Sequence, residues 1–434
     1  MTTTPMFERE METLSRDALR ELQFTRLQDV LRRVYENVPH YRASFDAAGV
    51  TPADLRSLDD ISVFPFTTKN DMRLAYPFGL FAVPRSQVVR LHTSSGTTGH
   101  PTVVGHTKTD LDLWARMMAR CYVACGVEPG QIFHITFGYG MFTGGLGYHY
   151  GAEHLGCTVV PMGGGNTEKQ ILLLRDFEAD VIAGTPSYLL NLAEEAERRG
   201  VDLRSGSLRT AFCGAEFWSQ AIRDEIETRL GVTAYDLYGL SEIIGPGVAG
   251  ECRERTGMHA WEDHFLLEVI DPETMEVLPP GEEGELVITN LTREAIPLIR
   301  YRTRDITRLE VEPCACGRTH ARIHRVTGRN DDMMIIRGVN VFPSQIETVM
   351  LGRPGLSPNY QLVLQREGNL DALTVEVEAS PGVETTEYGD MAKQLQHSIK
   401  SMIGVTTRVV VLAPGQLPRS VGKAQRVRDL RRLD

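Results

Sequence analysis

Lysine is scarce in this chain: six lysines stand against forty arginines, within 434 residues of formal net charge −11. That acidic balance argues against general affinity for nucleic acid and leaves only local basic patches to meet an anion. One patch lies between Arg419 and Asp434, where Arg419, Lys423, Arg426, Arg428, Arg431 and Arg432 outnumber two aspartates. A solvated charged tail accounts for most of them equally well. No apolar run approaches the ~20 residues of a membrane helix. Met1–Pro5 has neither the basic start nor the apolar stretch of a signal peptide, so a cytoplasmic protein is expected. Seven cysteines, an odd number without a secretory signal, point to metal binding or burial and away from a disulfide framework. The Walker pattern G-x-x-x-x-G-K-[ST] is missing too, which argues against a P-loop NTPase. Gly245-Pro246-Gly247-Val248-Ala249-Gly250 fits G-x-G-x-x-G in letters alone, because Pro246 interrupts the first turn and no helical periodicity follows.

The length exceeds one ordinary core, so a large domain plus a smaller one is expected. Residues 15 to 36 read as an amphipathic helix, with Leu27, Val30, Leu31 and Val34 at i, i+3, i+4 and i+7, closed by Pro39. From about 130 the chain alternates strands (Gln131–Phe137, Cys157–Met162, Asp180–Ala183, Leu208–Cys213, Thr233–Tyr238) with helices (Glu168–Phe177, Ser187–Arg199, Ser219–Leu230). That cadence predicts a doubly wound parallel α/β fold. After Gly245, strands such as His264–Ile270 and Glu285–Asn290, separated by turns like Pro279-Pro280-Gly281, predict a small antiparallel subdomain over about 246–325. Residues 331–434 read as a compact α+β domain, with segments at Met333–Ile336, Ser344–Met350, Gln361–Gln365, Leu373–Glu378, Tyr388–Ile403 and Thr407–Leu412. The expected domains are thus 1–330 and 331–434.

Thr93-Ser94-Ser95-Gly96-Thr97-Thr98-Gly99 contains only Ser, Thr and Gly and cannot pack a core. Glycines let a backbone approach a ligand and hydroxyls donate to phosphate oxygens, although a flexible loop has the same composition. The order S-S-G-T-T-G-x-P resembles the phosphate loop of the acyl-adenylate-forming superfamily, which includes acyl-CoA synthetases, peptide-synthetase adenylation domains and luciferases. That loop often carries Lys after its Pro, where this chain has Thr102.

Four later segments strengthen the resemblance. Tyr235-Asp236-Leu237-Tyr238-Gly239-Leu240-Ser241-Glu242 resembles the family's Tyr-Gly-x-Thr/Ser-Glu element. The resemblance implies that Tyr238 stacks on adenine, Asp236 accepts from its amine and Glu242 holds Mg²⁺, with Gly239 and Ser241 beside the nucleotide. A single carboxylate suffices for magnesium on phosphates. Tyr301-Arg302-Thr303-Arg304-Asp305 resembles Tyr-Arg-Thr-Gly-Asp, with Arg304 in place of Gly. Asp305 is expected to bind the ribose hydroxyls, since a carboxylate accepts from two vicinal OH groups; an Arg302–Asp305 surface pair is the alternative. Gly328-Arg329-Asn330-Asp331-Asp332 resembles the inter-domain hinge, with Asp331 as pivot and Arg329 near the nucleotide. Leu417-Pro418-Arg419-Ser420-Val421-Gly422-Lys423 resembles the terminal Gly-Lys element. Lys423 would bridge the substrate carboxylate and the α-phosphate, with Thr98 from the loop as a further catalytic group.

Gly138–Gly147, His149–Glu153, Thr185-Pro186-Ser187-Tyr188, Gly214-Ala215-Glu216 and Arg337–Ser344 look closer to the phenylacetate-CoA ligase branch than to the superfamily at large. Gly214, Ala215 and Glu216 are accordingly expected at the nucleotide. The aromatic and glycine-rich run holding Phe137, Tyr139, Gly140, Phe142 and Gly144 either lines an aryl pocket or forms a tight core turn. Those ligases tend to have Tyr where Phe137 stands and Pro where Phe217 stands. Cys252, His259, Cys314 and Cys316 form a Cys₃His set that suits a structural zinc, with His264 as a competing ligand and buried free cysteines as the alternative. Chains of this branch can carry a metal here.

The resemblance implies a two-step ligase acting on small molecules: an aryl carboxylate, ATP with Mg²⁺, and coenzyme A. No nucleic acid or membrane partner is expected, and a homodimer is left open. Two other readings remain, an enzyme that passes the acyl group to a carrier protein and a catalytically silent ligand sensor.

Overall fold

The computed structural model describes residues 5–93, 101–329, 334–336, 339–367, 370–419 and 426–431. The chain forms two compact units: Met1–Gly184 with Gly206–Ala215 and Thr233–Val326, and Thr185–Ser205 with Glu216–Val232 and Thr327–Asp434. The second unit therefore includes two helices, Pro186–Arg198 and Gln220–Leu230, that fall between parallel strands in the chain.

In the first unit, Ser15 caps the helix Arg16–Asn37 by accepting the Ala18 N–H at 3.3 Å. Pro39 ends that helix and also opens the next, Pro39–Ala48, because its fixed φ suits a first helical position. The central sheet runs in the order Thr158–Val160, Ile132–Ile135, Val181–Gly184, Thr210–Gly214, Thr233–Leu240, all parallel. Gly245–Glu251, Met258–Ala260, Arg322–Ile323 and Leu309–Glu310 then extend the same sheet antiparallel. The antiparallel region predicted after Gly245 is thus divided. Of the strands after Gly245 in this unit, Phe265–Ile270, Gly284–Asn290 and Tyr301–Thr307 form a separate antiparallel set. Turn signals mark where strands end but carry no information about which sheet edge they join. Gly245–Glu251 being a strand also removes the dinucleotide motif, which needs a helix there. Phe133, Ile135, Val181, Ala183, Phe212 and Tyr235 are among the core residues beneath this sheet.

In the second unit the sheet order is Arg408–Leu412, Leu370–Ala379, Leu356–Glu367, Val427–Asp429. The helices Pro343–Leu351 and Tyr388–Ile403 bury Ile346, Met350, Leu395 and Ile399 against Leu362, Val375 and Val377. No helix among the described residues is long and apolar enough to cross a membrane.

Candidate active site

The strand Thr233–Leu240 delivers three of the expected nucleotide residues from one element. Its partner Gly245–Glu251 approaches so closely that a Cβ on Gly239 would stand 2.1 Å from the Gly245 carbonyl oxygen, and the register shifts between Tyr238 and Gly239. Glycine is required there for steric reasons, and the irregularity re-aims the strand end, as bulges do. The Asp236 N–H donates to Glu251 Oε2 at 2.8 Å. The Tyr238 hydroxyl donates to Asp305 Oδ2 at 2.6 Å, joining two residues 67 positions apart. Asp305 is buried. The alternative pairing of Arg302 with Asp305 does not occur: the Arg302 guanidinium binds Glu285 twice, at 3.0 and 2.6 Å. Arg304 takes φ +70°, the left-handed conformation a glycine adopts freely, and its N–H donates to Glu285 at 3.3 Å. The backbone shape usual for a glycine is therefore kept by an arginine.

Glu242 is buried, and its carboxylate lies 3.2 Å from Lys69 Nζ. Its main chain is held by Arg293, which donates to the Glu242 and Ile243 carbonyls and to Gly105 O at 3.2 Å. Burial lowers the Arg293 pKa to about 10, still leaving the guanidinium charged at neutral pH. Ser241 Oγ is 2.9 Å from Thr143 Oγ1, tying this element to the aromatic-rich segment. Lys69, Thr143 and Arg293 escape sequence reasoning because no local pattern marks them. The scarcity of lysine was the one available signal for Lys69.

Ser94, Ser95, Gly96, Thr97, Thr98 and Gly99 lie outside the described residues, as do Asp331 and Lys423. The flanks of the Ser/Thr/Gly segment are described: Arg90–Thr93 and Val103–His106 pair antiparallel. Thr102 is buried. The Met141 carbonyl accepts from the Thr93 N–H at 3.0 Å and from His92 Nδ1 at 3.1 Å, clamping the aromatic-rich segment to the start of that loop. Burial lowers the His92 pKa, so its imidazole makes this bond as a neutral donor.

Phe137 stacks on Tyr148, ring centroids 4.7 Å apart, and Gly144 lies against its ring. The Tyr139 hydroxyl is 3.2 Å from His149 Nδ1. Phe142 is 54 % exposed, and a Cβ on Gly140 would meet nothing within 4 Å. Gly147 and Gly151, by contrast, are packing glycines: a Cβ would stand 2.5 Å from Trp114 and 2.3 Å from Met118. The segment combines both roles, an open stretch near Gly140 and a tightly packed helix Gly144–Leu155. Gly214 ends a central strand against the Leu237 carbonyl, and Ala215 follows at φ +67°. In the second unit, Glu216 accepts from the Ser187 N–H and hydroxyl at 3.2 and 2.8 Å. Arg329 belongs to the short strand Gly328–Arg329.

Cys252, His259, Cys314 and Cys316 are all buried, with ligand atoms within 4.8 Å of one another. Pairing of Met258–Ala260 with Arg322–Ile323 brings the two halves of the set together. His259 Nδ1 donates to the His320 carbonyl at 3.2 Å, so Nε2 faces the sulfurs, 3.4 Å from Cys316. His264 is engaged elsewhere, with Thr292 at 3.0 Å and Asp263 at 3.1 Å. The loop that carries Cys314 and Cys316 also grips the N-terminal segment: Arg318 Nε donates to Glu12 at 2.6 Å and the Thr319 hydroxyl to the Leu14 carbonyl at 2.7 Å.

A strand end presenting Tyr238 and Glu242, with Asp305 bonded to the tyrosine, is an arrangement suited to a nucleotide, and comparison with known proteins defines the class as the AMP-binding enzymes. The AMP-binding enzyme family model matches residues 54–292, and that of the AMP-binding enzyme C-terminal domain matches 338–431. The chain is 55% identical over 427 residues to the phenylacetate-coenzyme A ligase of Aromatoleum evansii, covering 97% of this chain and 96% of that protein. It is likewise 55% identical over 428 residues to the one of Escherichia coli (strain K12), covering 98% and 97%. Among solved structures, 2-hydroxyisobutyryl-CoA ligase in complex with 2-HIB-AMP aligns with TM-score 0.92 at 30% identity, over 97% of this chain and 91% of that one. The chain belongs to the phenylacetate-coenzyme A ligase family.

Proposed function

We propose that the chain is an ATP-dependent aryl-acid CoA ligase whose preferred acid is phenylacetate. The acid carboxylate attacks the α-phosphate of ATP, giving acyl-AMP and pyrophosphate; the CoA thiol then attacks the acyl carbon, releasing AMP. The observation that carries this reading is the Tyr238–Asp305 contact of 2.6 Å beside the buried Glu242, which assembles groups suited to adenine, ribose and metal-bound phosphate. The Tyr238 ring offers a stacking face, and its hydroxyl holds the Asp305 carboxylate in place for the ribose. Glu242 would hold Mg²⁺. Its buried carboxylate already carries a cationic partner, as a magnesium ligand should accommodate. The ion, when bound, neutralises phosphate charge. Thr97, Thr98 and neighbouring backbone N–H groups would hold the phosphates, and Lys423 would stabilise charge developing between carboxylate and α-phosphate. Asp331 is assigned as the pivot between residues 1–330 and the C-terminal domain, and Phe137, Tyr139, Gly140, Phe142 and Gly144 as the aryl pocket.

The Cys₃His set suits a structural zinc. A tetrahedral site with Zn–S bonds of ~2.3 Å has sulfur–sulfur edges of about 3.8 Å, and Cys252 Sγ lies 3.8 Å from Cys314 Sγ. The His320 carbonyl on Nδ1 sets the tautomer that such a ligand needs.

CoA-dependent AMP release measured across phenylacetate, benzoate, hydroxylated and indole acids tests the substrate. Preference for phenylacetate is expected; preference for fatty acids would sink the aryl assignment. Pyrophosphate release without CoA-dependent AMP release would instead mark a carrier-protein acceptor.

A further inference from the structure

The phosphate loop of this chain lacks the lysine that often follows its proline in the wider superfamily, and Thr102 at that position is buried. A triphosphate site with one positive charge fewer needs that charge from elsewhere. Lys69 is the candidate within the same unit. Its Nζ lies 3.2 Å from Glu242 Oε1, with the lysine side chain 37% exposed and the glutamate 8%. Other lysines differ in kind: Lys108 and Lys393 pair with Asp112 and Asp390 on open helix faces.

Three features show that Lys69 is placed and not merely nearby. It opens the helix Lys69–Leu74, whose cap uses Asp71 on the Thr68 N–H (2.7 Å) and hydroxyl (2.6 Å), so the acid nearest in sequence is engaged in capping. Two residues earlier, Thr67 is riveted to the segment leading into the Asp305 strand. Its hydroxyl donates to the Ile299 carbonyl at 2.6 Å, its N–H to the Arg300 carbonyl at 3.1 Å, and its own carbonyl accepts the Arg302 N–H at 2.9 Å. Lys69 therefore opens a helix two residues beyond a point tied to the strand bearing the proposed ribose ligand, and its ammonium ends at the proposed magnesium ligand. Finally, the partner carboxylate is buried, where an ion pair is far less screened than on an open helix face.

We infer that Lys69 is a triphosphate-binding residue of the adenylation step. It neutralises Glu242 in the nucleotide-free enzyme, and releases it to donate to β- and γ-phosphate oxygens when magnesium and ATP bind. A lysine suits this exchange because its ammonium is a compact charge on a flexible stem, able to shift from a carboxylate to a phosphate without moving the backbone. Once pyrophosphate has left, this contact has no partner on AMP. The inference rests on the adenylation reading above, and it assigns Lys69 to the first half-reaction alone.

The test compares the full-length enzyme with Lys69→Met and Lys69→Arg. Calorimetric titration with MgATP, pyrophosphate and AMP reads the contact without turnover. Lys69→Met is expected to weaken ATP and pyrophosphate binding roughly 10- to 100-fold, the range of a lost charge-assisted contact. AMP binding should stay within about twofold, as for a group that does not touch it. Lys69→Arg should recover part of the ATP affinity. ATP–pyrophosphate exchange should fall in Lys69→Met, while thioester formation from supplied phenylacetyl-adenylate and CoA holds. Unchanged ATP binding, or equal losses for ATP and AMP, or equal losses in both half-reactions, would overturn the inference. Absence of CoA-dependent AMP release by the wild-type enzyme would instead refute the proposed function, leaving the ATP-against-AMP comparison interpretable.

Discussion

Tyr238→Phe removes a single oxygen and keeps the ring, so it isolates the contact on which the nucleotide reading rests. The lost interaction is a 2.6 Å hydrogen bond from a hydroxyl to Asp305, a carboxylate only 4% exposed. Hydrogen bonds to charged groups contribute roughly 1.5–3 kcal/mol, and about 1.4 kcal/mol corresponds to tenfold in affinity. If the bond serves to hold Asp305 for the ribose, the Kd for MgATP rises roughly 10- to 100-fold at most. Asp305 keeps its backbone bond to the Thr303 hydroxyl at 3.1 Å, which places the expectation near the lower end. Tyr238→Leu removes the ring as well and adds a stacking loss of roughly 1–3 kcal/mol. Titration of both variants with ATP and with a nucleotide lacking one ribose hydroxyl completes a cycle. Wild type should lose affinity when the hydroxyl is removed, whereas Tyr238→Phe, its carboxylate already released, should lose less. Equal ATP affinity in wild type and Tyr238→Phe, with identical penalties for the deoxy nucleotide, would refute the role of this pair.

Three further outcomes are expected. Cys316→Ser, or exhaustive chelation, should abolish a one-to-one zinc content by elemental analysis and lower the unfolding temperature; it should also expose the segment around Glu12 to protease, because Arg318 and Thr319 hold it to the same loop. Arg304→Gly relieves a left-handed strain of roughly 1–2 kcal/mol but adds a glycine entropy cost of about 0.5–1 kcal/mol and removes the partly exposed ion pair with Glu285 at 3.6 Å, worth about 0–1 kcal/mol, so chemical denaturation should detect little change and ATP titration none. A tenfold weaker Kd would show that the arginine side chain itself serves the nucleotide. The third concerns pH. Burial, opposed by Asp263, keeps His264 unprotonated in the folded chain down to about 3, whereas the unfolded chain takes up that proton near the ordinary imidazole value. Between these limits the unfolded state binds more protons. His264 therefore costs stability as the pH falls below ~6.5, by up to ~1.4 kcal/mol per unit, and the loss levels off near the folded value. His264→Gln should flatten that part of the denaturation profile; an unchanged slope would mean the proton is taken up without unfolding.

Much of the candidate site is legible in sequence because its parts are local. Tyr238, Ser241 and Glu242 lie within five residues of one another, and a strand end explains why they emerge together. Helices such as Tyr388–Ile403 keep the bounds that their 3.6-residue periodicity predicts, since that pattern is set by neighbours on the same helix. The departure at Arg304 is visible as a letter change, yet only the backbone reveals that the arginine takes a left-handed conformation.

By itself, then, the chain's sequence determined many of its helices and strands, the resemblance to the acyl-adenylate motifs, and the four members of the Cys₃His set. Tertiary structure decided which of these meet. Strands following Gly245 divide between two sheets, Tyr238 reaches Asp305 rather than leaving it to Arg302, His259 and not His264 joins the cysteines, and Lys69 arrives at Glu242 from a helix far away in sequence. The physical reason is common to all four. Local periodicity specifies which face of an element is buried, but strand order and register come from long-range pairing and packing, and they set which distant side chains fall within hydrogen-bond reach.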